Sequence, residues 1–357
     1  MSPHFERILV VRLSAMGDII HAMPAVAALR AALPSVAIGW LVEERWAGLL
    51  CAAYSARSGM PSPQRPLADN IHTVDTKRWR NALLSGETRR GFLASISELK
   101  RQRYDVAVDF QGLLRSSILM RLSGTRVRYG FARPRESAAS WFYTSAIAAQ
   151  GTHVIEQNLS LAQAVANTRL KLAPAEFPRD EEAERKIESE LAKRHIGKFA
   201  ILNPGAGWGA KQWPTDRYGE VAKQLSESGV TPLINYGPGE ENLAAAVEGA
   251  SGGSAQRISL SLGELIALTR RAALFIGGDT GPMHLAAALR VPIVAIFGPT
   301  DPVRNGPFGT SNIVLRSPIS VTEHSRHAAP EAGLLLITVE QVSGAARELL
   351  EAAHDVG

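Results

Sequence analysis

Cysteine is nearly absent: Cys51 stands alone in 357 residues. No disulfide can close within the chain, and a reducing, cytoplasmic setting is the expectation. No apolar run approaches the roughly 18 residues that a membrane-spanning helix needs. The stretch Ile8-Leu-Val-Val11 is cut short by Arg12 and Asp18, which argues against a secretory leader. Asp-x-Asp pairs and cysteine clusters are both missing, so no metal is expected; His324 and His327 lie in a polar stretch without further ligands and read as surface histidines. Between the first strand and the first helix there is no glycine triplet, which disfavours a nicotinamide-dependent dehydrogenase. The stretch Pro204-Gly-Ala-Gly-Trp-Gly-Ala-Lys211-Gln-Trp-Pro214 is glycine-rich, but no Ser or Thr follows Lys211, so it is no P-loop.

The bulk composition, 45% hydrophobic and 20% charged, is that of a soluble globular protein long enough for two domains. Charge is unevenly spread. Residues 70–140 carry 14 Lys/Arg against 6 Asp/Glu, a local balance of +8 in a chain whose total is +5, which leaves −3 for the rest. Such a stretch is either a solvated face or a surface for an anionic partner: phosphate, an acidic sugar or a membrane surface. No nucleic-acid partner is expected, and the chain is expected to be a monomer.

Strand-like and helical patterns alternate almost throughout. Strands are expected at 7–13, 36–42, 105–110, 199–203, 230–236, 273–276 and 293–297. Helices are expected at 19–33, 85–101, 180–194, 215–228, 240–248, 262–271, 282–289 and 339–354. Residues 52–91 and 303–330 read as irregular, and 169–179, with two prolines, as a linker. This βαβ rhythm predicts an α/β fold of two Rossmann-like, doubly wound domains facing each other across a cleft. The expected division is residues 1–172, residues 173–338 and a closing helix, 339–357.

Two strand-to-helix loops carry most of the chemistry: Arg12-Leu-Ser-Ala-Met-Gly-Asp18 and Gly277-Gly-Asp-Thr-Gly-Pro-Met-His284. In open α/β sheets ligands bind at the carboxyl ends of strands, where such loops lie. Asp18 is either a helix cap or a catalytic base, with Ser14, Gly17 and His21 beside it. Asp279-Thr-Gly281-Pro282 is a helix entry whose free backbone donors and dipole suit a diphosphate, or else a plain capped helix. His284 lies one turn inside that helix, as a ligand contact or a packed core residue. Lys211 could pair with a phosphate. Glu240 and Glu241, after Tyr236-Gly-Pro-Gly, could hold ribose hydroxyls or simply complement a helix dipole. The turn Phe297-Gly-Pro-Thr300-Asp301-Pro302 lines the same edge or is merely a turn.

Arg12-Leu-Ser-x-Met-Gly-Asp18, Tyr236-Gly-Pro-Gly-Glu240, Gly278-Asp-Thr-Gly-x-x-His284 and Phe297-Gly-Pro-Thr-Asp-Pro302 occur in register along nearly the whole chain. Together they resemble the bacterial lipopolysaccharide heptosyltransferases, glycosyltransferase family nine. Lys77-Arg-Trp-Arg80, Asp109-Phe-Gln-Gly-Leu-Leu-Arg115-Ser and Arg135-Glu-Ser-Ala-Ala-Ser-Trp-Phe-Tyr143 are similar to acceptor segments of the heptosyltransferase I branch.

The resemblance implies a GT-B fold, with the last helix crossing back to the first domain. It implies inverting transfer of heptose from an ADP-heptose donor to the Kdo of Kdo2-lipid A, without a cofactor. Heptosyltransferases II and III, a nucleotide-sugar epimerase of the same fold and a non-catalytic binding module are the alternatives. By position, Asp18 would be the base. Lys211, Thr280, Gly281 and His284 would hold the diphosphate, with Asp279 at the donor sugar, Glu241 or Glu240 at the ribose and Leu260 against adenine. Ser14, Gly17, Lys77, Arg78, Arg80, Gln111, Arg115 and Arg135 would form the acceptor side. A lipid-anchored acceptor implies peripheral membrane binding through the basic first domain, helped by Trp79 and Trp141-Phe142-Tyr143.

Overall fold

The β-branched runs become the buried centres of two parallel sheets in the computed structural model, in which residues 5–82, 85–323 and 329–353 are described. The chain divides into two units, Met1–Arg179 and Asp180–Gly357.

In the first unit the strands are β1 (Arg7–Val11), β2 (Ala37–Glu43), β3 (Asn70–Val74), β4 (Val106–Asp109), β5 (Val127–Phe131) and β6 (Ser145–Ile147). They lie in the order β3-β2-β1-β4-β5-β6, every pair parallel. The helices are α1 (Met16–Ala32), α2 (Thr76–Asn81), α3 (Gly86–Arg101), α4 (Leu114–Leu122) and α5 (Val154–Ala166). Ile8 to Val11 are fully buried, as a central parallel strand covered on both faces requires.

The second unit repeats the plan. Its strands are β7 (Phe199–Asn203), β8 (Thr231–Tyr236), β9 (Gln256–Ser259), β10 (Leu274–Gly278), β11 (Ile293–Phe297) and β12 (Asn312–Arg316). Their order is β12-β11-β10-β7-β8-β9, the first unit's order again with β7 in the place of β1. Its helices are α6 (Glu181–Lys193), α7 (Thr215–Glu227), α8 (Glu241–Ala250), α9 (Leu262–Thr269), α10 (Gly281–Ala288), α11 (Pro302–Asn305) and α12 (Val339–Ala352). In each sheet the winding reverses beside the first strand, between β1 and β4 and between β7 and β10. Loops leave such a reversal toward opposite faces and open a crevice at the carboxyl edge.

Several expectations need correction. The stretch 303–330 contains most of α11 and the strand β12, and 52–91 contains β3 and α2 ahead of the expected helix α3. β12 is an edge strand held by β11 alone, and its five residues are only partly buried or exposed, so it shows no strong apolar pattern. β5, β6, β9, α4 and α5 were likewise not anticipated; β5 carries Arg128 among partly exposed neighbours.

Residues 61–66 have a definite partner. Pro61, Ser62, Pro63 and Pro66 form a recess with Glu176, Phe177 and Arg179. The Arg179 N–H donates to the Pro63 carbonyl at 2.8 Å, and Phe177 is buried. The linker's end is thereby part of the first unit, and the division falls at residue 179 instead of 172. The closing helix α12, expected to return to the first domain, buries Val342, Ala346 and Leu349 in a core that includes Trp213 and Val221 of the second unit. His324 and His327 lie outside the described residues.

Gly39 in β2 yields a stability prediction. A Cβ there would overlap the hydroxyl of Tyr104, which is tied to His72 Nε2 at 2.6 Å. Overpacking of this kind costs about 1–3 kcal/mol. Gly39→Ala should lower the urea midpoint accordingly, and adding Tyr104→Phe should recover part of the loss. An unchanged midpoint for the single variant would show that the strand simply yields.

Candidate active site

In the first unit the site is built at the carboxyl ends of β1, β4 and β5. α1 begins at Met16, so Asp18 sits in the third helical position, one turn inside. It takes part in the cap only through a long bond, its Oδ2 accepting from the Ala15 N–H at 3.4 Å. Its closer partners are cations. Arg12, 3% exposed, reaches Oδ1 at 2.8 Å. Arg135 grips both oxygens, Nη2 to Oδ1 at 2.8 Å and Nη1 to Oδ2 at 3.0 Å. Burial alone would raise the Asp18 carboxyl, but the charges of Arg12 and Arg135 outweigh it and hold the group well below the usual carboxylate range.

The neighbouring loop is braced from β4. Gln111 accepts from the Leu13 and Ser14 N–H groups at 2.7 and 3.2 Å and donates to Ser14 Oγ at 3.3 Å. It is 2% exposed. Its amide oxygen and one of its amide hydrogens are thus engaged by the loop, so Gln111 braces the loop beside the expected acceptor side. Asp109, fully buried, accepts from the N–H groups of Gln111 and Gly112 and from the Ser116 and Tyr143 hydroxyls. Burial pushes its carboxyl upward despite these bonds. Arg115 donates to Ser14 Oγ at 2.9 Å, and Gly17 lies in the first turn of α1. Ser14, Gly17, Asp18, Gln111, Arg115 and Arg135 are thus gathered at one edge.

Lys77, Arg78 and Arg80 lie apart, on α2 after the outermost strand β3. All three are exposed, and Arg78 pairs with Glu87 at 2.6 Å. Buried Glu43 at the end of β2 fixes this helix through the Thr76 N–H and hydroxyl, a role no sequence signal announced. Of the aromatic residues expected as membrane anchors, Trp79 packs edge-on against Phe92, and the Tyr143 hydroxyl is bound to Asp109. Only Trp141 projects, at 82% exposure.

In the second unit the centre is Asp279, just past β10. Lys211 Nζ meets Oδ2 at 2.6 Å, and His284 Nε2 meets Oδ1 at 3.1 Å. Burial would raise this carboxyl too, yet His284 and Lys211 together hold it well below the usual range. Lys211 also lies 4.3 Å over the Trp208 ring. α10 starts at Gly281 with Pro282 behind it, and its cap residue Thr280 makes no side-chain cap bond. The first turn therefore leaves backbone donors unpaired by the helix itself, at its positive end. The buried hydroxyls of Thr280 and Thr300 have no partner among the described residues. Thr300 stands on the loop after β11, next to β10, and was quoted in the sequence only within a motif.

Gly205, after β7, has a close neighbour: a Cβ there would overlap the Glu240 carboxylate. Glu240 is accordingly turned toward the glycine-rich loop and accepts from the Gly237 N–H at 2.8 Å. Glu241 is exposed, and its carboxylate accepts from the Gly239 N–H at 3.2 Å. Leu260 lies just past β9, at the far edge, partly buried against the core.

An ionised carboxylate at one sheet reversal and an anion-ready helix N-terminus with a lysine at another are the parts of a transferase that uses an activated diphosphate donor. Comparison with known proteins narrows the class. The model of "Glycosyltransferase family 9 (heptosyltransferase)" matches residues 92–333. The lipopolysaccharide heptosyltransferase 1 of Pseudomonas aeruginosa is 32% identical over 324 residues, covering 87% of this chain and 84% of that protein. That of Escherichia coli K12 is 28% identical over 323 residues, 87% and 94% of the two chains. The structure of E. coli heptosyltransferase WaaC with ADP-2-deoxy-2-fluoro heptose superposes with a TM-score of 0.72 at 25% identity, covering 97% of this chain and 99% of that one. The chain belongs to glycosyltransferase family 9. It is a heptosyltransferase of lipopolysaccharide core biosynthesis.

The Asp18 ion pairs predict a pH dependence. The carboxyl titrates lower in the folded protein than in the unfolded chain, where it lies near 4. Its contribution to stability is therefore complete above that ordinary range and is lost as pH falls through the depressed folded value. The stability gap between the protein and Asp18→Asn should be constant from about pH 5 to 8 and shrink in stronger acid. A gap that widened on acidification would contradict the ion pairing.

Proposed function

We propose that this chain moves L-glycero-D-manno-heptose from ADP-heptose to the Kdo of Kdo2-lipid A, with inversion at the anomeric carbon. The observation that carries the donor half is the α10 N-terminus beside Lys211, with the buried Thr280 hydroxyl unpartnered among the described residues. Two phosphates need several donors and positive charge, and these groups supply both. Lys211 has three donors, so it can hold Asp279 and a phosphate oxygen together. The ribose is assigned to Glu240, whose carboxylate lies over the glycine-rich loop, in preference to outward-facing Glu241. The WaaC structure with a fluorinated ADP-heptose supports this donor, and relatives named lipopolysaccharide heptosyltransferase 1 support a heptose transfer to lipopolysaccharide.

In the reaction the acceptor hydroxyl gives its proton to Asp18 as its oxygen bonds to the anomeric carbon. The bond to the diphosphate breaks and its electron pair leaves with ADP. Lys211 and the N–H groups at the start of α10 meet the charge that grows there. This arrangement assigns the leaving-group charge to protein groups, so the reaction is proposed to run without a metal. The acceptor is held by a lipid, whereas no described helix is long and apolar enough to cross a membrane. In this proposal the protein works at the inner face of the inner membrane as a peripheral enzyme, held by its basic first unit.

The test is ADP release with and without Kdo2-lipid A, set against the mono-heptosylated acceptor. Release that requires Kdo2-lipid A supports the proposal; preference for the heptosylated acceptor would instead assign a later heptosyltransferase step. Asp18→Ala should lower turnover at least about 100-fold while ADP affinity is kept, since a general base contributes roughly 10²–10⁴. Lys211→Ala should weaken ADP binding in calorimetry as well as the rate; unchanged affinity would remove it from the diphosphate site. Chelation with EDTA should leave turnover unchanged.

A further inference from the structure

Every oxygen of Asp18 is taken by a cation. Oδ1 meets both Arg12 and Arg135, and Oδ2 meets Arg135. Guanidinium groups hold three of the roughly four lone-pair sites of this carboxylate, and the Ala15 N–H faces Oδ2 at 3.4 Å, so little is left for an incoming hydroxyl and the basicity is suppressed. The two arginines are held differently. Arg12 is buried, and its Nη1 donates to the Phe110 carbonyl, so it stays where it is. Arg135 has a side chain 46% exposed whose described hydrogen bonds all go to Asp18.

The backbone of Arg135 is nevertheless fixed. The Glu136 N–H donates to the Gly112 carbonyl at 2.9 Å. Gly112 has a φ of +69°, and a Cβ there would come within 3.1 Å of the Arg135 nitrogen. The arm can swing; its root cannot.

We propose that Arg135 is a latch on the catalytic base, opened by the anionic group of the acceptor. A carboxylate or phosphate of the acceptor competes with Asp18 for the exposed guanidinium. When it wins, Oδ2 is released beside the hydroxyl that must lose its proton, while Arg12 still orients Oδ1. The base is thereby active only when an acceptor is present, and a water molecule does not spend the donor. This rests on the reading of Asp18 as the base. The Arg135 side of the pair is open to solvent, so another anion can reach the guanidinium and take the place of Asp18, which suits a latch better than a permanent brace. The charged and titratable groups around Asp18 are Arg12 from the end of β1, Arg135 from the loop after β5, His21 from α1 with His153 packed edge-on against it, Arg115 from α4 and Asp109 from β4. Among them, Arg135 alone combines exposure with a bidentate hold on Asp18.

The experiment uses the full chain, Arg135→Ala, Asp18→Ala and the double variant. ADP release from ADP-heptose is followed with Kdo2-lipid A and with water alone, and ADP binding is measured in each variant to confirm an intact second unit. The latch predicts that Arg135→Ala raises the acceptor KM yet speeds water-driven ADP release about tenfold, and that adding Asp18→Ala removes the increase. A residue that only brackets the acceptor would raise KM and leave the water reaction unchanged. That result, or an increase that persists without Asp18, overturns the proposal. If the unaltered chain transfers nothing to Kdo2-lipid A, the assigned reaction itself fails; if it transfers normally and Arg135→Ala shows no increase with water, only the latch fails.

Discussion

A carboxylate drawn out of water at the end of a parallel strand cannot remain ionised alone, because desolvation favours its neutral form. Both units meet that constraint in the same way, with two nitrogen-bearing side chains on each acid. Asp18 has Arg12 and Arg135; Asp279 has Lys211 and His284. In both, the attraction outweighs the burial, so the acids are charged at neutral pH. Asp109 is the informative contrast. It has four hydrogen bonds but no cation in direct contact, and there burial prevails. Hydrogen bonds alone hold Asp109 in place, whereas direct ion pairing decides the charge of the other two.

That requirement reaches back into the fold. Arg12 can serve Asp18 only because the Phe110 carbonyl takes its other nitrogen, and Phe110 follows directly from β4. The pairing of β1 with β4 is the reversal of the sheet, so strand order places the arginine's second partner. Gln111 then ties the loop after β1 to the same corner. In the second unit the pairing of β7 with β10 does the equivalent work. Gly277 packs on the Asn203 backbone, and a Cβ on Gly278 would come within 3.3 Å of the Lys211 carbonyl. The glycines admit the lysine loop, and Lys211 reaches Asp279 as a result.

The central strands and most helices were legible because burial on both faces demands continuous apolar runs, and those are visible in a sequence. The edge strands were not. β12 and β5 satisfy few neighbours and carry polar residues, so their pairing is decided by the strand beside them. The clusters at Asp18 and Asp279 were legible as loops, since a strand end, a carboxylate and a helix entry stand together in the chain. Their partners were less so. Arg135 lies 117 residues from Asp18, and only the sheet brings them together. Gln111 was expected at the acceptor because its motif lies in the right segment; nothing local shows that two backbone N–H groups of another loop would occupy its amide.

The two units share a strand order but no visible sequence repeat, because a doubly wound sheet asks only for buried runs at suitable intervals. What the order repeats is a place. What differs is the chemistry set there: a bare helix N-terminus and a lysine in one unit, a carboxylate between two arginines in the other. A helix N-terminus with free donors attracts an anion whatever else surrounds it. The α1 entry, by contrast, already holds its own anion, Asp18, matched by arginine. Side chains at equivalent strand ends thus divide the labour that an identical scaffold would otherwise duplicate.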